Sequence, residues 1–269
     1  MSFSIAGKTA IVTGAANGVG LAIARHFVDQ GANVMFADMD EGALRKEIDR
    51  DTGEEGSKRA FTGDLREKLT QANLLSATID AFDRVDILVN ASRQMATSDP
   101  LDPDNDCVET LIDQNVILSL RLTQLIAKRM IKQAEIDDRE DGPLGAIVNL
   151  SCIAARRTNP SLLGYSMASA ALDQMTRSMA VALAPNRIRV NAVAFGSVMS
   201  QSLKTALKEN SEYRGQIMDH TPMARIAKPQ ELAEAVQFLA SEGAGFMTGQ
   251  IVTVDGGRTL LDAVPAPIH

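Results

Sequence analysis

Apolar and polar positions alternate between two textures over the first hundred residues. Lys8–Thr13 is a short apolar run that enters a glycine-rich turn, and Gly18–Gln30 follows with Val19, Ile23 and Phe27 on one side at helical spacing. Asn33–Asp38 is a second apolar run that ends on acid, and the charged segment Glu41–Arg50 reads as a solvent-facing helix. Ser57–Thr62 is a weaker third strand, Leu65–Phe82 returns to helical periodicity, and Asp86–Asn90 is a short aliphatic strand. This repeated strand–helix unit predicts an α/β fold: a doubly wound, Rossmann-like parallel sheet with helices on both faces.

The pattern continues to the end of the chain. Val108, Leu111, Ile112, Asn115, Leu118, Leu122, Leu125 and Ile126 recur at helical spacing, which predicts one long helix from about Cys107 to Gln133. Glu135–Gly142 is acidic and reads as an exposed loop. Ala146–Leu150, Arg187–Ala194 and Ile251–Val254 are strands; Tyr165–Ala184 and Glu231–Ala240 are helices; Ser200–Asp219 is a mobile, partly helical excursion. No linker or longer repeat interrupts the series, so residues 1–269 read as a single domain. Residues 197–225 form the expected substrate lid, with Met199, Met218 and Met223 as an adaptable apolar wall or as ordinary packing. The tail 258–269 packs on a neighbouring subunit or frays.

Composition narrows the function classes. A net charge of −7 argues against a nucleic-acid or anionic-membrane partner. Cys107 and Cys152 make neither a disulfide framework nor a metal spacing, which suits a reducing cytoplasm, and no metal site is expected. The first residues do not read as a signal peptide, and no apolar run is long enough to span a bilayer.

The turn Thr13-Gly14-Ala15-Ala16-Asn17-Gly18-Val19-Gly20 sits between the first strand and the first helix. Glycines there let the backbone approach a pyrophosphate, and the helix N-terminus offers free N–H groups and partial positive charge. Asp38 closes the second strand, where a carboxylate accepts hydrogen bonds from an adenosine ribose and repels a 2′-phosphate. Asn17 is not basic, so NAD is expected over NADP. Asp64, in Gly63-Asp64-Leu65, is either a helix cap or an adenine contact.

Together these residues resemble the short-chain dehydrogenase/reductase family. The resemblance rests on Thr13–Gly20, Gly63-Asp64-Leu65, Asp86–Asn90, Asn115, Ile147–Ser151, Tyr165, Ile188–Ala194 and Gly249–Gly257, and runs from about Gly7 to Gly257. It implies a nicotinamide cofactor, a small alcohol or carbonyl substrate, and a homo-oligomer, usually a tetramer. It adds Asn90, Ala91, Val198 and Ser200 to the cofactor contacts. It also implies a tyrosine acid/base assisted by a serine, a lysine and an asparagine. Here Tyr165 and Asn115 match. Cys152 stands where the serine would, 13 residues before the tyrosine, and Ser169 stands where the lysine would, four residues after it. Arg93 replaces a glycine beside the expected nicotinamide pocket, and Phe195-Gly196 replaces Pro-Gly.

These departures have a calculable cost. A free phenol titrates near pH ~10, and a cation ~4–5 Å away is worth roughly 3–4 kcal/mol at an effective dielectric of ~20. Without that charge Tyr165 is expected to be a reluctant base. Cys152 offers a weak S–H donor; it also reads as a thiolate nucleophile or, preferably, as a small buried hydrophobe. Ser169 either bonds its own helix or touches the ribose. Arg93, Arg156 and Arg157 flank the site; they face water by default or supply the missing field. Three readings stay open: an oxidoreductase with an altered, impaired site; a non-catalytic NAD-binding or scaffold member; and a fold whose nicotinamide end is filled by Arg93.

Overall fold

The computed structural model describes residues 3–49, 57–104 and 106–262. β1 (Thr9–Thr13), α1 (Gly18–Asp29), β2 (Asn33–Asp38), α2 (Glu41–Ile48), β3 (Lys58–Thr62), α3 (Lys68–Phe82) and β4 (Ile87–Asn90) come first. α4 (Val108–Ile112), a π-helical turn (Asp113–Ile117), α5 (Leu118–Ile136), β5 (Gly145–Cys152), α6 (Leu163–Leu183) and β6 (Ile188–Phe195) follow. The last elements are α7 (Gln201–Glu209), α8 (Glu212–Asp219), α9 (Pro229–Ala240) and β7 (Ile251–Val254). The described strands form one parallel sheet in the order β3-β2-β1-β4-β5-β6-β7.

Register explains why central strands read as unbroken apolar runs. Met35, Ile11, Leu88, Ile147 and Val190 pair across five strands and belong to one core, covered by Leu74 of α3 and Leu122 and Ile126 of α5. The next row, Phe36, Val12, Val89 and Val148, points to the other face, where Ile23 and Phe27 of α1 meet Val236 and Leu239 of α9. Both faces are dry, so alternation brings no polar residue to water. A third, smaller core joins α4 and the π-helical turn to α6 through Leu111, Val116, Tyr165, Ala168 and Leu172.

Two expectations need correction. The long helix is broken by the π turn at Asp113–Ile117 and then continues to Ile136, so Glu135 is helical and the acidic loop begins later. α2 is not wholly solvent-facing: Leu44 and Glu47 are buried, and Glu47 Oε1 accepts from Arg25 Nε at 2.6 Å. The excursion after β6 is helical as expected, in two pieces, α7 and α8. Of the tail, residues 263–269 lie outside the described residues. No described helix is long and apolar enough to cross a membrane.

Candidate active site

Strand order reverses between β1 and β4, which opens a crevice at the carboxyl ends of the strands. The glycine turn fills its edge. Gly14 has φ +64°, and a Cβ there would stand 2.8 Å from the Ala91 carbonyl oxygen. A Cβ on Gly20 would stand 2.1 Å from the Gly14 oxygen. These two positions are glycine because turn, helix and β4 loop pack backbone against backbone. Gly18, at φ +59°, meets nothing within 4 Å and faces open space. Asn17 is exposed, and α1 begins with no side-chain cap. Val19 packs against the α1/α9 core. Thr13 Oγ1 accepts from the backbone N–H groups of Ala91, at 3.0 Å, and Ser92, at 2.9 Å, joining β1 to the loop after β4.

Asp38 is locked beside this turn. One carboxylate oxygen accepts from Ala16 N at 3.0 Å, the other from Met39 N at 2.7 Å and Asp40 N at 3.1 Å. Close backbone, uncapped helix and fixed carboxylate suit the pyrophosphate and ribose of an adenine dinucleotide. Asp64 serves its own turn: it accepts from Arg66 N at 3.0 Å and pairs with the Arg66 guanidinium at 2.5 Å, which holds its carboxyl below the usual range. Leu65 and Asn90 turn their side chains inward. Leu65 is in the core. Asn90 Nδ2 donates to Asn149 Oδ1 at 2.8 Å and Thr123 Oγ1 at 3.2 Å, in a buried polar ladder that Asn149 extends to Thr176.

The chemistry gathers where β5 and β6 end. β5 runs two residues further than its apolar pattern predicts, and strand alternation separates Ser151 from Cys152. Ser151 is buried and donates to Asp173 Oδ1 at 2.5 Å. Burial pushes the Asp173 carboxyl up, while the Ser151 hydrogen bond and the charges of Arg156 and Arg177 pull it back. Cys152 lines a cavity of about 450 Å³ that Tyr165, Phe195, Val198 and Ser200 share. Ser200 also caps α7, its Oγ accepting from Leu203 N at 3.2 Å. Met199, Met218 and Met223 do not line this cavity; Met95, Leu162 and Leu203 form its apolar wall.

Tyr165 sits in the first turn of α6, 6% exposed, and its hydroxyl has no hydrogen-bond partner among the described residues. Ser169, one turn on, donates to the Tyr165 carbonyl oxygen at 2.8 Å, so its hydroxyl is used within the helix. Asn115 is buried in the π turn. Its Oδ1 accepts from Gln94 N at 2.8 Å and its Nδ2 donates to Gln94 O at 2.9 Å. This clamp fixes the residue next to Arg93.

Arg93 is only partly exposed and lays its guanidinium against two aromatic rings, against the default expectation for a surface arginine. Its guanidinium carbon lies 5.1 Å from the Tyr165 ring centroid and 4.8 Å from that of Phe195, and Nη1 donates to Ser151 O at 3.1 Å. Burial lowers its proton affinity, yet a guanidinium keeps its charge near neutrality. Arg156 and Arg157 are exposed, and Arg156 donates to Thr253 Oγ1 at 3.1 Å. Sequence reasoning missed Arg258, which lines the cavity; a cation just after the last strand was the available signal. It also missed the Ser151–Asp173 pair, for which the spacing of Tyr165, Ser169 and Asp173 along one helical face was a hint.

Known proteins share this arrangement. Residues 14–259 match the family described as enoyl-(acyl carrier protein) reductase. The chain is 32% identical to 7alpha-hydroxysteroid dehydrogenase of Escherichia coli K12 over 93% of its own length and 94% of that protein. It is 31% identical to glucose 1-dehydrogenase of Gluconobacter oxydans, covering 95% and 93%. A solved 7 alpha-hydroxysteroid dehydrogenase, complexed with NADH and 7-oxo glycochenodeoxycholic acid, superposes with a TM-score of 0.86 at 31% identity, over 95% of each chain. A Rossmann-like sheet, its glycine turn and this extent of similarity assign the chain to the short-chain dehydrogenase/reductase family of nicotinamide-dependent oxidoreductases.

Proposed function

We propose that the chain is an NAD-dependent alcohol/carbonyl oxidoreductase in which Tyr165 exchanges the proton and Arg93 supplies the positive field that a lysine gives its relatives. The observation that carries this reading is the Arg93 guanidinium over the Tyr165 ring, beside a cavity large enough for a small substrate. The nicotinamide, when bound, gives or takes the hydride. The chain's part is to hold the dinucleotide at Gly14–Gly20 and Asp38, to seat the substrate oxygen at Tyr165, and to keep water from it. A unit charge ~6 Å from a developing phenolate is worth roughly 2–3 kcal/mol at an effective dielectric of ~20. That offsets part of the loss of the lysine. The Cys152 thiol is a weaker donor than a hydroxyl, so turnover is slower than in a relative with serine and lysine.

Two features support NAD over NADP: the fixed Asp38 carboxylate and the absence of a basic side chain at Asn17. The reading extends to a one-domain subunit with α7 along the cavity, in a dimer or tetramer. Cys107 and Cys152 form no disulfide among the described residues, which suits the cytoplasm. The solved relative's complex with NADH and an oxo compound supports a nicotinamide and a carbonyl substrate.

A second reading has its own support. The Ser169 hydroxyl is spent inside α6 and Cys152 offers no strong donor, as a non-catalytic NAD-binding subunit would allow. Calorimetric titration with NADH and NADPH, followed by a turnover screen on alcohols and ketones, separates the readings. Tight NADH binding with measurable turnover supports the enzyme. Saturable binding with no turnover leaves the second reading. No binding at all means that Arg93 closes the nicotinamide end.

A further inference from the structure

The charge around this cavity opposes the charge of the chain. The sequence carries 27 Lys and Arg against 34 Asp and Glu. Among the described residues, the only charged ones lining the cavity are Arg157 and Arg258. Neither makes an ion pair with any described residue. Arg258 is held in place by a hydrogen bond from Nη1 to Ser197 Oγ at 3.1 Å, and its remaining donors have no side-chain partner among the described residues. Asp255, three residues earlier, does not line the cavity, and its carboxylate accepts from Gly257 N at 2.9 Å and Thr259 N at 2.7 Å. Behind the wall, Arg93 adds a third cation without a carboxylate partner.

Three guanidinium groups with no ion pair among the described residues stand around one cleft, no described acid lines it, and together they focus a positive potential into it. Arginine forks match the planar oxygens of carboxylates and phosphates. Thr158, Asn159 and Ser200 add neutral hydrogen-bonding groups to the same lining. We propose that the cavity takes an alcohol or carbonyl compound that also bears an anionic oxygen group, a carboxylate or a phosphate, gripped between Arg157 and Arg258. This names the substrate class of the site proposed above and rests on that site being the substrate pocket.

Cys152 lines the same cavity and reports its field without cofactor or turnover. The whole protein is alkylated in parallel with iodoacetate, which is anionic, and iodoacetamide, which is neutral. Peptide mass spectrometry reads the rates at Cys152 and, as internal control, at Cys107. The iodoacetate-to-iodoacetamide ratio at Cys152 is expected to exceed that at Cys107 by about tenfold. It should fall several-fold toward the Cys107 level in Arg157→Gln/Arg258→Gln, with Arg93 keeping the remainder, and persist in Arg157→Lys/Arg258→Lys. Benzoate and inorganic phosphate should each slow carboxymethylation of Cys152 in the unmodified protein, and the more effective of the two identifies the favoured group.

Equal ratios at the two cysteines, a ratio unmoved by the Gln pair, or no protection by either anion would overturn the inference. If the Gln pair does not fold, the unmodified protein's ratio and its protection decide alone. NADH titration keeps the two readings apart. Absent NADH binding removes the dehydrogenase reading and leaves the ratios untouched, whereas failed ratios with intact NADH binding remove only the anionic substrate.

Discussion

The Arg93 guanidinium carbon is 4.8 Å from the Phe195 ring centroid and 5.1 Å from that of Tyr165, so one side chain links the loop after β4 to β6 and α6. Each such contact is worth ~0.5–2 kcal/mol, more as water is excluded. The cation is therefore held beside the phenol and not merely near it.

Removing that charge should slow the reaction and move its pH dependence. A cation favours phenolate over phenol, so its loss shifts the onset of activity to higher pH. Arg93→Met is expected to lower kcat at pH 7 by about tenfold or more and to displace the rising limb of the pH–rate profile upward. Steady-state kinetics across pH 6–10 checks both. A rate that rises at neutral pH would mean that Arg93 obstructs the site.

Restoring the missing pair of groups should speed turnover. Cys152→Ser/Ser169→Lys returns a hydroxyl donor and an ammonium group to the positions that flank Tyr165. Turnover with the best alcohol or ketone of the screen is expected to rise at least about tenfold. An unmodified protein already as fast as the double variant would show that its chemistry does not need them.

Gly14 and Gly18 should respond differently to alanine, although both have positive φ. At Gly14 the added methyl meets the Ala91 carbonyl oxygen at 2.8 Å and the backbone is strained as well; at Gly18 there is strain but open space. Urea unfolding should show Gly14→Ala costing ~2–3 kcal/mol or more and Gly18→Ala about 1 kcal/mol. Gly18→Ala should nonetheless weaken NADH binding, measured by calorimetry.

Asp173 should make the protein's stability fall as pH rises through its titration. Its carboxyl is raised in the fold, chiefly by burial, so the folded chain binds a proton that the unfolded chain, titrating near ~3.9, has released. Its contribution is full below the unfolded value and is lost as pH rises through the folded one. Denaturation from pH 4 to 8 should show the unmodified protein losing stability relative to Asp173→Asn over that window. Ser151→Ala, which removes the 2.5 Å donor, should cost roughly 1–3 kcal/mol at pH 7.

The sheet was legible because its signals are local and redundant. Ile11, Leu88 and Ile147 sit in apolar runs, and both faces of a parallel sheet must be buried, so strand identity and fold class follow from the runs themselves. Gly14 and Gly20 were legible for a similar reason, since only glycine fits between two close backbones. Arg93 was not. Whether an arginine faces water or two aromatic rings depends on Phe195, about a hundred residues away, and no local pattern encodes that meeting. The break at Asp113–Ile117 was hidden because one extra residue leaves the helical spacing of Val108 through Ile126 nearly unchanged. The inward turn of Asn90 was hidden because its partners, Thr123 and Asn149, come from other elements.

That break works as a phase shifter. Each residue along a helix advances its face by about 100°, so the wide turn sets the angle at which Asn115 meets Gln94. Trimming a single residue from 113–117 would rewind the segment into regular helix and swing everything before it around the axis. The asparagine would let go of the loop, and the arginine one position upstream would lose the anchor that aims it.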